Sequence, residues 1–279
     1  MSQTGFAKLK TSKIWSAPGL ASALLLGVLA MATTAGASSI PAGWTCTGSC
    51  GSLGADGVVP LSPIGNSSYQ YVTTTGGTTG VGALPTGALG SETNGSTLAT
   101  SQFTVTAGTD LNFYFDYVTS DGAGYADYAW AELFNSSNTP VALLFTARTV
   151  PSPGNIVPGT GMPAPAATLN PTSVPIQSGT TWSPLGSWSG DCYASGCGNS
   201  GWIDTDYTIA VAGTYYLEIG VTNWIDTLYD SGLAMDGVTV GGTPIVPPSN
   251  TPIPEPSSIV LLFTGLCEGA YLLRRRVMA

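Results

Sequence analysis

The chain has 279 residues, no histidine, seven Lys and Arg residues and sixteen Asp and Glu residues, so its formal net charge is −9 at pH 7. Without histidine, Ser-His-Asp and Cys-His catalysis and His-based zinc sites are excluded. Between Ser38 and Pro254 only Arg148 is basic, so the clustered Lys and Arg that bind a phosphate backbone are missing. Nucleic acid is therefore excluded as a partner, and anionic lipid surfaces are disfavoured. As a lone cation among many acids, Arg148 is predicted to pair with a neighbouring carboxylate.

Residues 1–37 have the pattern of a secretory signal peptide. Three lysines from Lys8 to Lys13 precede an apolar stretch from Leu20 to Ala32, and Ala35–Ala37 is a small-residue cleavage site. We therefore expect the mature chain to begin at Ser38. The alternative is a single N-terminal helix that is not cleaved.

The cysteines indicate an oxidising compartment. Cys46 and Cys50 lie close together, as do Cys192 and Cys197, while Cys267 stands alone near the C-terminus. Two local disulfides are the simplest pairing, because glycine and serine in both loops let such small rings close. The alternative is a zinc site built from all four thiolates, since both spacings fall in the range of such sites. Export favours the disulfides.

The body of the chain, residues 38–241, is predicted to form β-structure. Short runs of alternating apolar and polar residues are separated by Gly, Asn, Asp and Thr clusters, which is typical of half-buried strands. The predicted strands are Tyr69–Thr74, Ser101–Thr106, Leu111–Val118, Tyr128–Phe134, Val141–Thr149, Tyr207–Val211, Tyr215–Val221 and Leu233–Val240. About eight to ten strands in roughly 200 residues predict one all-β sandwich of jelly-roll type, with Val, Tyr, Phe and Leu facing inward.

Three aspartates flank a glycine-rich turn between two of the predicted strands. Asp116, Asp121 and Asp127 surround Gly122–Gly124, which would let carboxylates and backbone carbonyls converge on a calcium ion. The alternative is a plain turn whose aspartates cap their own backbone amides. The sequence therefore predicts no cofactor other than a calcium ion at this turn. The turn does not have the residue pattern of an EF-hand loop.

Other acidic residues are weaker candidates for the same chemistry, namely Asp204, Asp206 and the segment Asp226–Asp230. Two carboxylates at a suitable separation also suffice for glycoside hydrolysis. The pairs that fit this second role are Asp121 with Asp127 and Asp204 with Asp206.

Two segments interrupt the strand pattern. Residues 151–179 are rich in Pro, Gly, Ala and Thr and carry hardly any charge, so they form either a functional insertion or an apolar strap packed over one sheet. Residues 242–253 form a Pro-rich linker that would act as a semi-rigid spacer.

Aromatic residues are concentrated in the C-terminal half, near the second cysteine pair. Trp182, Trp188 and Trp202 are the candidates for a sugar-binding surface, together with Tyr193 and Trp224. Exposed rings stack on sugar faces while carboxylates hydrogen-bond the hydroxyl groups. The alternative is burial in the core, as is common for tryptophan in a β-sandwich.

Residues 254–279 have three parts. The motif Pro254-Glu255-Pro256 precedes the apolar run Ser257–Leu273, and Arg274-Arg275-Arg276 follows it. At about 1.5 Å per residue this run is at the short end of what crosses a bilayer as a helix. The arginines mark the cytoplasmic side. Glu268 lies inside the run and makes the free energy of its insertion into the membrane less favourable by roughly 2.5–3.5 kcal/mol.

This tripartite tail resembles the PEP-CTERM sorting signal of Gram-negative bacteria. The resemblance implies that a membrane-embedded exosortase recognises the tail and cleaves it near Pro254-Glu255-Pro256. It also implies export through the inner membrane, transient anchoring by the C-terminal helix, and release or transfer to the cell surface or extracellular matrix. The alternative is an ordinary membrane anchor that is never processed.

The ectodomain resembles one family of exported PEP-CTERM proteins over nearly its whole length. The resemblance rests on the segments Gly43–Gly51, Phe113–Phe134, Leu143–Arg148 and Tyr215–Gly242. That family has no assigned activity. Related PEP-CTERM proteins are associated with bacteria that make exopolysaccharide and live in biofilms or flocs.

These features predict a non-enzymatic, secreted or surface-attached protein that acts in the extracellular polysaccharide matrix by adhesion or glycan binding. The expected partners are the exosortase, an exopolysaccharide or other glycan, and the membrane before processing. The rival from another class is a carboxylate-dependent glycan hydrolase. A third hypothesis is that calcium only rigidifies the loops.

Overall fold

Short strands joined by turns make up most of the computed structural model, which describes residues 40–122, 124–149 and 155–245. The strands of these residues are β1 (Thr45–Thr47), β2 (Ser49–Leu53), β3 (Tyr69–Thr73), β4 (Thr78–Thr79), β5 (Glu92–Ala99), β6 (Phe103–Val105), β7 (Thr109–Thr119), β8 (Tyr128–Asn135), β9 (Pro140–Arg148), β10 (Asn155–Val157), β11 (Thr168–Asn170), β12 (Val174–Pro175), β13 (Gly198–Asn199), β14 (Ile203–Ile209), β15 (Gly213–Trp224), β16 (Ser231–Val240) and β17 (Thr243–Pro244). A 3-10 helix spans Ser183–Trp188.

The strands form two large antiparallel sheets. Sheet A has the order β11-β14-β7-β16-β3-β2, with β13 beside β7 and β17 beside β16. Sheet B has the order β1-β5-β15-β8-β9, with β4 beside β5 and β6 beside β15. A separate two-stranded ladder joins β10 and β12. The all-β prediction is thus confirmed.

The main core lies between the two sheets and follows the period-2 alternation of the strands. In β7, Phe113, Phe115 and Tyr117 all point into it and are fully buried. The ring of Phe115 lies 4.5 Å, centroid to centroid, from that of Phe145 on sheet B. Each such side chain contributes about 1.5–3 kcal/mol on burial, so these aromatic contacts hold the sheets together.

Each sheet also carries a smaller apolar cluster on its outer face. On sheet A, Trp182 and Leu185 cover Tyr69, and the Trp182 Nε1 donates to the Tyr69 Oη at 2.9 Å. On sheet B, Leu84 covers Trp130, whose Nε1 donates to the Gly82 carbonyl oxygen at 2.7 Å. These covers explain why several strands are buried on both faces.

All eight predicted strands overlap observed strands, but β1, β2, β4, β5, β10–β13 and β17 were not predicted. β5 reads Glu-Thr-Asn-Gly-Ser-Thr-Leu-Ala, with little apolar alternation, and pairing with β1, β4 and β15 fixes it as a strand. The predicted strap at 151–179 is described from residue 155 onward. It does more than lie over a sheet, because β11 pairs with β14 and extends sheet A.

The signal peptide, most of the linker and the whole C-terminal tail lie outside the described residues. Their predicted boundaries at 1–37, 242–253 and 254–279 therefore stay predictions. Within residues 40–122, 124–149 and 155–245, no helix is long and apolar enough to cross a bilayer.

The two ends of the sandwich carry different features. β16 pairs with β7 from Ser231, opposite Thr119, to Val240, opposite Leu111. β17 folds back beside Val240, so we term this end the exit end. The opposite end, which carries the turns after Thr119 and before Ser231, is termed the loop end.

Candidate functional site

Four aromatic side chains form a continuous run across the loop end: Tyr125, Trp188, Tyr193 and Tyr229, termed the aromatic platform. Trp188 stacks on Tyr229 with ring centroids 4.3 Å apart and an interplanar angle of 30°. The ring centroids of Tyr229 and Tyr193 are 5.0 Å apart. The rings of Tyr193 and Tyr125 contact each other edge to face, with centroids 5.4 Å apart. The rings come from three separate segments of the chain, with Trp188 and Tyr193 on the same one, so only folding assembles the platform.

The platform is open to solvent. Tyr193 is 47% exposed, and the other three rings are half-buried. In the loop that carries Tyr229, Ile225 and Leu228 are 46% and 47% exposed. A contiguous surface of partly exposed aromatic and apolar side chains is uncommon on a monomeric protein and marks a binding surface.

Trp188 and Tyr193 are held by well-packed neighbours. Trp188 ends the 3-10 helix, which is anchored by the buried Leu185 and by Trp182 just before it. Tyr193 lies inside the small ring closed by the Cys192–Cys197 disulfide, and its backbone N–H donates to the Ser120 carbonyl oxygen at 3.0 Å. Both rings are therefore pre-positioned on the loop end.

The turn before β8 packs closely beneath the disulfide loop. The Tyr125 backbone N–H donates to the Gly122 carbonyl oxygen at 3.1 Å. A side chain on Gly122 would bring its Cβ to 2.7 Å from the Ala194 carbonyl oxygen. Only glycine therefore lets the Tyr125 turn and the Tyr193 loop approach each other, which brings their rings into contact.

The loop that presents Tyr229 contains two strained residues. Ile225 and Tyr229 have φ angles of 78° and 54°, in the left-handed region that non-glycine residues rarely occupy. Such conformations cost of order 1–3 kcal/mol each and persist where the surroundings hold them. The Ile225 N–H donates to the Ser91 carbonyl oxygen at 2.8 Å, which helps to hold the first of them. Strain of this kind clusters at binding sites.

Hydrogen bonds to Asp230 tie the same loop to β3 and β7, the two strands that flank β16 in sheet A. The hydroxyl groups of Thr74 and Thr75 donate to the Asp230 carboxylate at 2.7 and 2.6 Å. The Ser120 Oγ donates to the Asp230 carbonyl oxygen at 2.8 Å. This network fixes the residue that follows Tyr229, and so orients the platform from below.

Two buried carboxyl groups lie at the loop end, near the platform turns. Asp127 accepts the Trp224 backbone N–H at 2.9 Å and the Ser231 hydroxyl at 2.6 Å. Asp121 accepts the Gly122 N–H at 2.7 Å, and its second oxygen is buried without a hydrogen-bond partner. Burial, and then the charge of Asp121, raise the pKa of Asp127 well above its ordinary value. Burial raises the pKa of Asp121 to about 7.

The structure does not bring together the three aspartates predicted to bind calcium. Asp116 lies on the outer face of sheet A beside Ser200, whereas Asp127 contacts Ser231 on the inner face. They separate because residues 116 and 117 of a strand point to opposite faces, and Tyr117 faces the core. No group of three carboxylates, or of carboxylates with cysteines, is placed to hold a metal ion in the described part of the chain. Asp121 caps the next backbone amide, as the alternative predicted.

Of the three predicted sugar-binding tryptophans, only Trp188 belongs to the platform. The prediction is wrong for Trp182, which is fully buried and hydrogen-bonded to Tyr69. Trp202 is half-buried against the edge of Tyr69, and its Nε1 donates to the Pro60 carbonyl oxygen at 2.9 Å. Both lie over the outer face of sheet A, where apolar strand residues need a cover.

Among the described residues, Arg148 has no carboxylate within ion-pair distance, so the predicted pair is not seen there. Its guanidinium donates to the carbonyl oxygens of Ala126 and Thr160 at 3.0 and 3.3 Å. It also lies 4.6 Å above the ring of Trp224, in a cation–π arrangement. Trp224 is thus covered by Arg148 and is not part of the platform.

The disulfide prediction is confirmed, since Cys46 bonds to Cys50 and Cys192 to Cys197. The two platform tyrosines that sequence reasoning missed are Tyr125 and Tyr229. Their only sequence signal is a position between two aspartates. Tyr125 lies between Asp121 and Asp127, and Tyr229 lies between Asp226 and Asp230.

Neither a family model nor a curated protein matches the chain. Two cleaved adhesin domains of Lys-gingipain from Porphyromonas gingivalis, each 12% identical, align over 72% of this chain and over 91% and 93% of theirs, with TM-scores of 0.34 and 0.32. The enzymatically active domain of tailspike protein 4 from bacteriophage CBA120 is 10% identical over 72% of this chain and 19% of its own, with a TM-score of 0.30. At such TM-scores the site has to be understood from its own residues.

Proposed function

We propose that this is an exported, non-enzymatic protein of the cell surface or extracellular matrix that binds glycan through the aromatic platform. The observation that carries the proposal is the continuous run of four partly exposed rings at the loop end. The rings lie at the end of the sandwich opposite β17, after which the chain continues toward the predicted membrane tail. A tethered molecule would therefore present the platform outward.

The chemistry of the platform suits a sugar chain. Aromatic faces stack on the C–H faces of sugar rings, and the rigid tyrosine and tryptophan side chains lose little entropy on binding. Asp191 and Asp226 lie in the two loops that carry Tyr193 and Tyr229 and can accept hydrogen bonds from sugar hydroxyls. With so many carboxylates and a single covered cation in the described ectodomain, a neutral glycan fits better than an anionic one.

The location belongs to the same proposal. Two disulfides fit an oxidising compartment, and the tail with Pro254-Glu255-Pro256 and Arg274-Arg275-Arg276 supports export and processing by an exosortase in a Gram-negative bacterium. The proposed glycan is an exopolysaccharide of the surrounding matrix. A jelly-roll-like connection of the two sheets is the finer fold that we propose.

The rival hypothesis, a carboxylate-dependent hydrolase, needs two carboxyl groups that face a substrate cleft. Asp121 and Asp127 are buried, and both oxygens of Asp127 accept hydrogen bonds. Asp204 and Asp206 lie on one strand with the buried Thr205 between them, on the outer face of sheet A. These placements favour binding over hydrolysis.

The proposal is tested by native gel electrophoresis of the full chain, purified in detergent, through gels that contain a neutral polysaccharide. We expect Tyr193→Ala to weaken retardation at least about fivefold, since a stacked aromatic side chain contributes about 1 kcal/mol. Tyr193 is the most exposed ring of the platform, so its removal leaves the fold intact. Tyr114→Ala, on the outer face of sheet A, is the matched control. Equal retardation of both variants and the unmodified chain would contradict the proposal.

A further inference from the structure

The outer face of sheet B is covered on one side only. Leu84 and Met162 pack over Trp130 and Phe134 on β8, whereas the neighbouring part of the face on β1, β5 and β15 stays open. The open part forms a groove with a volume of about 440 Å³. The groove lies toward the exit end and is separate from the aromatic platform.

The strand register places polar side chains in rows across this groove. Thr45 on β1 lies opposite Ala99 on β5, which lies opposite Glu218 on β15. Thr47 lies opposite Thr97 in the next row. Hydroxyl groups, one carboxylate and a small alanine side chain therefore line the floor, which leaves room and hydrogen-bond partners for a ligand.

An aromatic ring completes the groove. Tyr216 lines it, stacks on Phe134 with an interplanar angle of 9° and a centroid distance of 5.2 Å, and donates its hydroxyl to the Asn138 Oδ1 at 3.2 Å. Asn138 itself lines the groove in a left-handed conformation with a φ of 58°. Tyr216 is thus held in place beside the hydroxyl-rich floor, as a sugar-stacking residue needs to be.

Glu218 breaks a local rule of sheet stability. It lies directly opposite Glu132 on β8, and like charges in this position are destabilising. One Glu132 oxygen accepts the Thr86 hydroxyl at 2.6 Å, and the other is buried without a partner. Burial raises the pKa of both groups. A carboxylate retained at this cost, on the floor of an open groove, indicates a functional role.

We infer that this groove is a second binding site, which takes a neutral linear polysaccharide chain. Hydroxyl groups of the sugars would hydrogen-bond to Thr97, Glu218 and Asn138 while one ring stacks on Tyr216. Anionic chains are disfavoured because the groove is lined by an acidic residue and by no basic one, and Arg148, the single basic residue between Ser38 and Pro254, lies at the loop end. With the platform, the groove would let one molecule link two glycan chains.

The test compares the full chain in native gels that contain hydroxyethylcellulose, galactomannan, laminarin or dextran, and in a gel that contains alginate. The groove variant is Thr97→Val with Glu218→Met, which removes hydrogen-bonding groups at nearly constant volume. Thr45→Trp narrows the groove from an exposed edge position and serves as a second variant. Thr104→Val, on the same sheet outside the groove, is the control. Each change is also made together with Tyr193→Ala.

We expect both groove variants to reduce retardation in a neutral gel at least threefold, and to abolish what remains in the Tyr193→Ala chain. If Tyr193→Ala alone removes all retardation and the groove variants none, the groove proposal is wrong while the proposed function stands. If the unmodified chain is not retarded in any gel that contains a neutral polysaccharide, both the groove proposal and the proposed function are wrong. Stronger retardation in alginate would overturn the neutral ligand assigned to the groove.

Discussion

Several acidic side chains in this sandwich are buried, and Asp116 is the clearest case. Asp116 is completely buried on β7, accepts the Ser200 hydroxyl at 3.3 Å, and has a second oxygen without a partner. Burial raises its pKa to about 8. Burial therefore favours the protonated form of this group in the folded chain, because a buried carboxylate without a cationic partner carries a large desolvation penalty.

Stability is therefore expected to fall as the pH rises. Between the ordinary pKa of Asp116, 3.8, and its folded value of about 8, the folded chain holds a proton that the unfolded chain has lost. The free energy of unfolding then decreases with pH across this window and levels off above it. We expect the Tm at pH 5 to exceed that at pH 8, and Asp116→Asn to reduce this difference, by circular dichroism.

The control for this measurement is Asp206→Asn, which changes an exposed carboxylate on the same face of sheet A. It should leave the pH dependence of the Tm unchanged. A Tm that rises from pH 5 to pH 8, or an Asp116→Asn chain with the pH dependence of the unmodified one, would contradict the role assigned to Asp116.

At the scale of elements, the two disulfides have different structural roles, although the loops that they close are similar in length. Cys46 lies on β1 of sheet B, and Cys50 lies on β2 of sheet A, so this bond joins the two sheets where the chain crosses between them. Gly48 makes this crossing with a φ of 90°, close to Ser96. The second disulfide instead closes the loop that presents Tyr193.

Removing each disulfide in turn should show which of them contributes only to stability and which also contributes to glycan binding. On the chain-entropy model, Cys46→Ser with Cys50→Ser and Cys192→Ser with Cys197→Ser each cost about 2 kcal/mol, or roughly 4–8 °C in Tm. The second pair should also weaken retardation in the neutral-polysaccharide gel more strongly than the first, because it releases Tyr193 of the platform. Calorimetry and the gel assay together check this. Equal binding losses for both pairs would argue against the platform.

The elements also explain which predictions succeeded. Strands such as β7 alternate between core-facing apolar and outward-facing residues, so their period alone reveals them. β5 is too polar for that signal and is a strand because its neighbours pair with it. The sequence offered the burial of Trp182 only as an alternative, because its contact with Tyr69 joins residues more than a hundred positions apart.

At the scale of the whole molecule, the tail is proposed to tether the sandwich with its platform outward. If an exosortase processes the tail, Glu255→Ala should keep the chain in the membrane fraction of its native host, whereas the unmodified chain is released or transferred. Glu268→Ala, within the apolar run, is the control that keeps the sorting motif. Immunoblots of the membrane and extracellular fractions check this prediction. Release of the Glu255→Ala chain would favour a different route of export.

The sequence by itself determined the all-β class, the pairing of the cysteines and the scarcity of basic groups, because alternation, short loops and composition are local properties. Tertiary structure decided which aromatic rings are exposed to solvent and which carboxyl groups lie close to one another. The platform forms only when three separate segments converge at the loop end, and its rings are Tyr125, Trp188, Tyr193 and Tyr229. Exposure and proximity depend on how distant segments cover one another, and a one-dimensional pattern does not contain that packing.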